Sequence, residues 1–273
     1  MIVRALSIAG SDPSGGAGIQ ADLKSFAAQG AYGMAVIASL TAQNTRGVRA
    51  VFSPPASFLA EQLEAISDDI VVDAVKIGML GGADNIEVVA RWLAWHRPPH
   101  VVLDPVMVAT SGDRLLDADA EKVLRSLLPL ADVITPNVAE LAVLTGSEQA
   151  ADLEQAIDQG RRLAAETGAR VLVKGGHLQQ TTGDSQGDAT DALLYPDGSR
   201  TLIGGSRVDT PNTHGTGCSL SSALAALRPQ RDSWEQAAVD AKAWLTGALL
   251  ASARLEVGSG AGPIHHFHHL LPD

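Results

Sequence analysis

One cysteine, Cys218, stands among 273 residues. An intramolecular disulfide is therefore excluded, and a cysteine zinc site has too few thiols. Aromatic residues are scarce at 4% and charged residues modest at 19%, while apolar residues reach 45%. That balance supplies a sizeable core and excludes a disordered chain. Basic residues are outnumbered, 20 Lys and Arg against 31 Asp and Glu, for a net charge of -11. Nucleic acid and anionic membrane are poor candidates for the main partner of such a surface. A local amide-lined pocket for a phosphorylated ligand remains open. No apolar run approaches the ~18 residues of a membrane span. The N-terminal stretch, residues 1–10, is too short and wrongly composed for a signal peptide and reads as a first strand. No repeat of the ~20–50-residue class recurs. The expectation is a cytoplasmic protein with one domain over residues 1–273.

Short apolar runs alternate with amphipathic segments along the chain. Strand-like runs lie at 2–9, 34–40, 74–77, 101–103, 133–134 and 171–173. Several are apolar at consecutive positions, as parallel strands covered on both faces are. Helix-like segments lie between them, at 18–29, 56–67, 83–96, 118–127, 139–144 and 152–167. This rhythm predicts a three-layer α/β/α sandwich with a mostly parallel sheet. Residues 191–195 and 200–207 flank Pro196-Asp197-Gly198-Ser199, which predicts a short antiparallel hairpin. Two Ala- and Leu-rich helical stretches follow, 215–227 and 233–255. Residues 179–188 read as a mobile loop.

Ligands of open parallel sheets bind beyond the carboxyl ends of the strands. The polar and Gly-rich segments of this chain all follow strands. Gly10-Ser11-Asp12-Pro13-Ser14-Gly15-Gly16-Ala17-Gly18 is either a tight strand-to-helix turn or an anion-attracting one. Asp22, a turn further on, fits a solvated helix residue as well as a ligand. Gln43, in the stretch 41–45 that ends strand two, carries both donor and acceptor and can pair with the edge of a heterocycle, or is an ordinary loop residue. Met79 and Val106 suit an apolar slot or plain core. Asp104, ending a strand, suits water-mediated Mg²⁺ contact. Asn137 and Glu140 have the spacing of a capping box and equally of a phosphate and Mg²⁺ site. Lys174, before two glycines, suits a nucleotide phosphate or the surface.

The most informative segment is Asp209-Thr210-Pro211-Asn212-Thr213-His214-Gly215-Thr216-Gly217-Cys218, opening an Ala-rich helix. Successive amides of Gly215, Thr216, Gly217 and Cys218 would form an anion hole for a transferring phosphoryl group. The helix N-terminus should lower the Cys218 thiol below its usual ~8.5. The tail Pro263-Ile264-His265-His266-Phe267-His268-His269 invites a metal reading, yet no nearby acid or thiol completes it, and a chain end is where fraying is common.

Five blocks carry a resemblance: 9–22, Thr41-Ala42-Gln43-Asn44-Thr45, Lys76-Ile77-Gly78-Met79-Leu80, Lys174-Gly175-Gly176-His177 and Asn212–Cys218. Together, in collinear order over about residues 1–260, they resemble the hydroxymethylpyrimidine/phosphomethylpyrimidine kinases of thiamine biosynthesis, in the ribokinase-like superfamily. The resemblance implies a ribokinase-like fold, MgATP as donor, a homodimer, and two successive phosphorylations of a pyrimidine alcohol. It implies that Gln43 pairs with the aminopyrimidine edge and that Ala17, Asp22, Met79 and Val106 line its site. It places Lys174, Asn137 and Thr216 with the phosphates and Asp104 and Glu140 with Mg²⁺. Gly215 and Gly217 would form the anion hole, with Cys218 as base. Most ribokinase-like kinases carry Asp where Cys218 stands, while the pyrimidine kinases share the Cys. Base and positioning residue both stand open for it, because a loose phosphoryl-transfer transition state needs positioning more than a strong base.

Two rivals are a pyridoxal or dual-specificity kinase and a non-catalytic vitamin-binding protein. Gln43 argues against the first, since a phenolic pyridine offers a different edge. An anion hole beside a thiol argues against the second.

Overall fold

A computed structural model describes residues 1–107, 118–176 and 189–270. Its sheet has nine strands in the order β3-β2-β1-β4-β5-β6-β7-β8-β9. They are β1 (Arg4–Ser11), β2 (Tyr32–Asn44), β3 (Gly47–Phe52), β4 (Ala74–Ile77), β5 (Val101–Leu103), β6 (Val133–Ile134), β7 (Arg170–Val173), β8 (Asp191–Leu194) and β9 (Arg200–Ile203). From β2 through β1 and β4 to β7 every neighbour is parallel. β3, β8 and β9 join antiparallel at the two edges.

Successive strand side chains point to opposite faces, and the core divides accordingly. Leu6, Ile8, Val75, Ile77, Leu103, Val171 and Val173 face one hydrophobic cluster. That cluster is covered by α2 (Ala56–Ser67), α3 (Ala83–His96), α4 (Ala118–Leu124), α5 (Val138–Thr145) and α6 (Leu153–Thr167). Ala5, Ala74, Val102, Val133 and Leu172 face the other, under α1 (Gly18–Ala28), α7 (Thr216–Leu227) and α8 (Trp234–Leu250). Ala5 and Ala74 leave room on this face for α7, whose Ala223, Leu224, Ala225 and Ala226 are buried. The three-layer sandwich and the hairpin at β8–β9 are as expected.

Three expectations change. β2 runs on to Asn44 and turns into β3, so Thr41 and Gln43 stand on a strand, not in a loop. The second Ala-rich helix ends at Leu250, and a short 3₁₀ turn covers Ser252–Leu255. The His-rich tail is not frayed up to residue 270: Ile264, His265 and His266 are buried, and Pro263 bridges to His214. The stretch at 179–188 lies outside the described residues.

Candidate active site

At the carboxyl ends of β1, β4, β5 and β7 two loops meet backbone to backbone. Gly215 takes φ +78, and a Cβ on it would lie 1.8 Å from the Gly16 carbonyl oxygen. Only glycine satisfies both demands. Gly215 caps α7 in this left-handed conformation, and no side chain caps the first turn. Thr216, Gly217 and Cys218 are half-buried there. A Cβ on Gly217 would lie 3.5 Å from Lys174 Nζ and 3.7 Å from Asp104 Oδ2. The first turn of α7 thus lies beside a cation and a carboxylate held just beyond β7 and β5.

Asp104 accepts from Thr135 Oγ1 at 3.0 Å and lies 3.5 Å from Lys174 Nζ. Burial works against the charge on Lys174, and Asp104, Glu140 and Cys218 outweigh it, so its pKa is raised. Asn137 and Glu140 form the capping box of α5: Glu140 N–H donates to Asn137 Oδ1 at 2.9 Å and Asn137 N–H to Glu140 Oε2 at 2.8 Å. The cap and the ligand reading coexist, because Glu140 remains beside Asp104 and Lys174. Burial pushes its carboxyl up to about 7, the Asp104 charge adds to that, and Lys174 with the Asn137 and Met107 amides opposes. Two adjacent acids with one raised in this way fit a divalent cation shared with phosphate oxygens, the usual mode for Mg²⁺. No group of three or more His, Cys, Asp or Glu that could hold a metal occurs among the described residues. The tail histidines form no such site: His266 Nε2 instead pairs with Ser219 Oγ at 2.9 Å on α7.

Two expectations about charge are overturned. Cys218 is not lowered by its helix terminus. Burial raises the thiol to about 11, Asp22 and Asp104 raise it further, and Lys76 with the Gly18 amide only partly offsets them. Asp22 is neither solvated nor open to a ligand. Its carboxylate is completely buried and accepts from Lys76 Nζ at 2.9 and 3.0 Å, Ser7 Oγ at 2.6 Å and Ser222 Oγ at 2.7 Å. The expectation that Asp22 lines a ligand site is corrected: its carboxylate is buried and all its acceptor sites are taken. Lys76, buried with it, keeps a raised pKa: burial opposes its charge, and Asp22, Cys218 and Asp104 outweigh burial.

On the β1–β2 side, Gln43 lies 3.3 Å from His214 Nε2 and 3.2 Å from Thr41 Oγ1. His214 Nε2 is 2.8 Å from Asp12 Oδ2. Ala17 donates its N–H to the same Asp12 oxygen at 2.8 Å. Met79 is buried, its methyl filling the space a Gly10 side chain would need, while Val106 is half-buried after β5. Met79 and Val106 therefore stand just beyond the ends of β4 and β5, and Ala17 is the N-cap of α1. Asp12 and His214, which pair beside Gln43, and Lys76, the buried partner of Asp22, are not singled out by the sequence reading, although each lies within a motif it quotes. His177 lies outside the described residues.

The family model for phosphomethylpyrimidine kinase matches residues 12–265. This chain belongs to that family. It is 50% identical over 267 residues to the hydroxymethylpyrimidine/phosphomethylpyrimidine kinase of Salmonella typhimurium, covering 97% of this chain and 98% of that one. It is 53% identical over 264 residues to a thiamine biosynthesis multifunctional protein of Corynebacterium efficiens, spanning 97% of this chain but 35% of that protein's length. An ADP complex of Bacillus subtilis pyridoxal kinase superposes with a TM-score of 0.85 at 33% identity, with 100% of both chains covered. The ribokinase-like fold is shared with such neighbours. No described helix is long and apolar enough to cross a membrane.

Proposed function

We propose that this chain transfers the γ-phosphoryl group of ATP to the hydroxymethyl oxygen of 4-amino-5-hydroxymethyl-2-methylpyrimidine, then a second one to the resulting monophosphate, for thiamine biosynthesis. The observation that carries this reading is the convergence of the uncapped first turn of α7, Lys174 and Asp104. Amides, an ammonium and a carboxylate beside a second acid are what phosphoryl transfer needs for positioning and charge neutralisation. Asp104 and Glu140 would hold Mg²⁺, which supplies charge neutralisation on the phosphates, with Asn137 and Thr216 on the same side. Gly215 and Gly217 let the α7 amides approach the transferring group, and Lys174 balances its charge.

In the first step the substrate oxygen bonds to the γ-phosphorus and the bond to the β,γ-bridging oxygen breaks, releasing ADP. The hydroxyl proton must leave, and in this reading the Cys218 thiolate receives it. In the second step the nucleophile is a phosphate oxygen, already ionised near neutrality with a second pKa of about 6, so no base is required. Gln43 pairs with the ring, with Ala17, Met79 and Val106 around it. A homodimer and a cytoplasmic location go with this reading; sedimentation velocity checks the first.

Similarity to a pyridoxal kinase favours a second reading, a kinase of pyridoxal or of both substrates. ATP-dependent turnover of the pyrimidine alcohol, its monophosphate and pyridoxal, measured side by side with and without excess chelator, tests both. The proposal expects the two pyrimidines to exceed pyridoxal in kcat/KM and chelator to abolish turnover. Pyridoxal leading would transfer the assignment to the second reading.

A further inference from the structure

Asp12 and His214 lie buried behind Gln43, and their protons constrain it. Asp12 accepts from Ser14 N–H at 2.9 Å, Ser14 Oγ at 2.7 Å and Ala17 N–H at 2.8 Å, besides His214 at 2.8 Å. Burial works to raise its pKa, and the bonds from His214, Ser14 and Ala17 outweigh it and hold it at about 2. An ionised carboxylate only accepts. His214 Nε2 is therefore a donor and carries a ring proton.

Gln43 presents its amide nitrogen to that same Nε2 at 3.3 Å, a donor against a donor. On its other flank Thr41 has one hydroxyl proton, which goes to the Ser11 carbonyl at 2.8 Å. Thr41 Oγ1 is then an acceptor, 3.2 Å from the amide oxygen, an acceptor against an acceptor. Half a turn of the amide exchanges two groups of nearly equal size and resolves both contacts. The oxygen then faces the one Nε2–H proton that His214 gives chiefly to Asp12 and takes a share of it, and one N–H donates to Thr41. The outer edge of the amide, one oxygen lone pair and one N–H, is left for a ligand.

We infer that Asp12 and His214 are positioning residues that fix the direction of the Gln43 amide, and through it the order of donor and acceptor the site takes on a ring. The accepted edge has an exocyclic N–H donor on the His214 side and a ring-nitrogen acceptor on the Thr41 side. A 4-aminopyrimidine offers that order. Its 4-oxo counterpart, with a carbonyl acceptor beside a ring N–H, offers the reverse and is refused. This rests on the reading of Gln43 as the partner of the ring.

The test compares kcat/KM for the 4-amino and 4-oxo pyrimidine alcohols in the parent, Gln43→Ala, His214→Phe and Asp12→Asn enzymes, with Tm and ATP Kd as checks on folding. A bidentate edge contact discriminates by on the order of 10–100-fold. The parent should prefer the amino substrate by about that factor. His214→Phe and Asp12→Asn should reduce the preference severalfold, chiefly through KM of the amino substrate, with ATP Kd unchanged. If Gln43→Ala abolishes the preference while both other variants keep it, the positioning role falls alone. If Gln43→Ala keeps it, the reading of Gln43 falls and the inference with it. Should the variants not fold, ¹⁵N NMR of the His214 ring in the parent decides: a proton on Nε2 is expected, and a ring protonated on Nδ1 alone overturns the inference.

Discussion

Two lysine–aspartate pairs meet α7 and are finished differently. Lys76 and Asp22 are 0% exposed, doubly bonded at 2.9 and 3.0 Å, and Ser7 and Ser222 occupy the remaining acceptor sites of the carboxylate. Lys174 and Asp104 approach only to 3.5 Å, and Lys174 keeps 17% of its side chain exposed. The residue types are the same, but the first pair is sealed from solvent and its carboxylate has no acceptor site left for a ligand. The second has, and it faces the helix terminus. A buried charge pair is weak evidence for function when its partners are complete; an incomplete pair beside open amides is a place for an anion.

The largest effect should come from breaking the closed pair. Lys76→Met leaves Asp22 buried without its counter-ion, which typically costs about 3–5 kcal/mol. Urea unfolding should show this, and adding Asp22→Asn should restore much of it. A Lys76→Met protein as stable as the parent would remove the distinction between the pairs.

Cys218 lies over the closed pair and beside the open one. As base, its removal in Cys218→Ala should lower phosphorylation of the alcohol by about 10²–10⁴-fold. Phosphorylation of the monophosphate should change far less, because that nucleophile has no proton to lose. With the thiol raised to about 11, the alcohol step in the parent should still quicken with pH above neutrality, and Cys218→Ala should flatten that rise. Equal losses in both steps would leave Cys218 as a packing and positioning residue.

Glu140 sharpens the comparison through pH. Its carboxyl is raised from 4.5 to about 7 in the folded protein. The folded state therefore holds this proton more tightly, and the stability it contributes is full below pH 4.5 and lost as pH rises through about 7. Glu140→Gln should not show this loss, so the stability gap between the two proteins should shift across that window. Affinity for MgATP should rise over the same window in the parent and not in Glu140→Gln. Calorimetry at several pH values measures both. The smallest effect is expected from Ser222→Ala, which removes one bond to Asp22 and should cost about 1–3 kcal/mol without changing KM for either substrate.

Much of the fold is legible in the sequence, because strands covered on both faces must be apolar at consecutive positions, as at Val101–Leu103 and Val171–Val173. The extension of β2 is not. Thr41-Ala42-Gln43-Asn44-Thr45 is polar because this end of β2 is not fully covered, and polar residues read as loop. His214-Gly215-Thr216-Gly217-Cys218 is legible as a helix start with unusual backbone freedom. The Lys76–Asp22 pair is not, since a lysine in an apolar strand says only that a partner exists, and the partner lies 54 residues away. The one signal was Lys76 itself, a charge inside Ala74-Val75-Lys76-Ile77. The Cys218 titration is illegible for a similar reason: the local sequence shows the helix terminus, while burial by distant segments decides the direction. The tail misleads in the opposite sense, its histidines being polar in sequence but packed against α7 and α8.

The central claim is that the open pair, and not the closed one, serves phosphoryl transfer. Single-turnover transfer from γ-labelled ATP to the pyrimidine alcohol by Lys174→Ala, with Tm measured on the same sample, tests it most directly. Losing one preorganised charge partner of the transferring group should slow transfer by about 10²–10³-fold, with Tm within a few degrees of the parent. Transfer within a few-fold of the parent rate, or a loss explained wholly by unfolding, would contradict it.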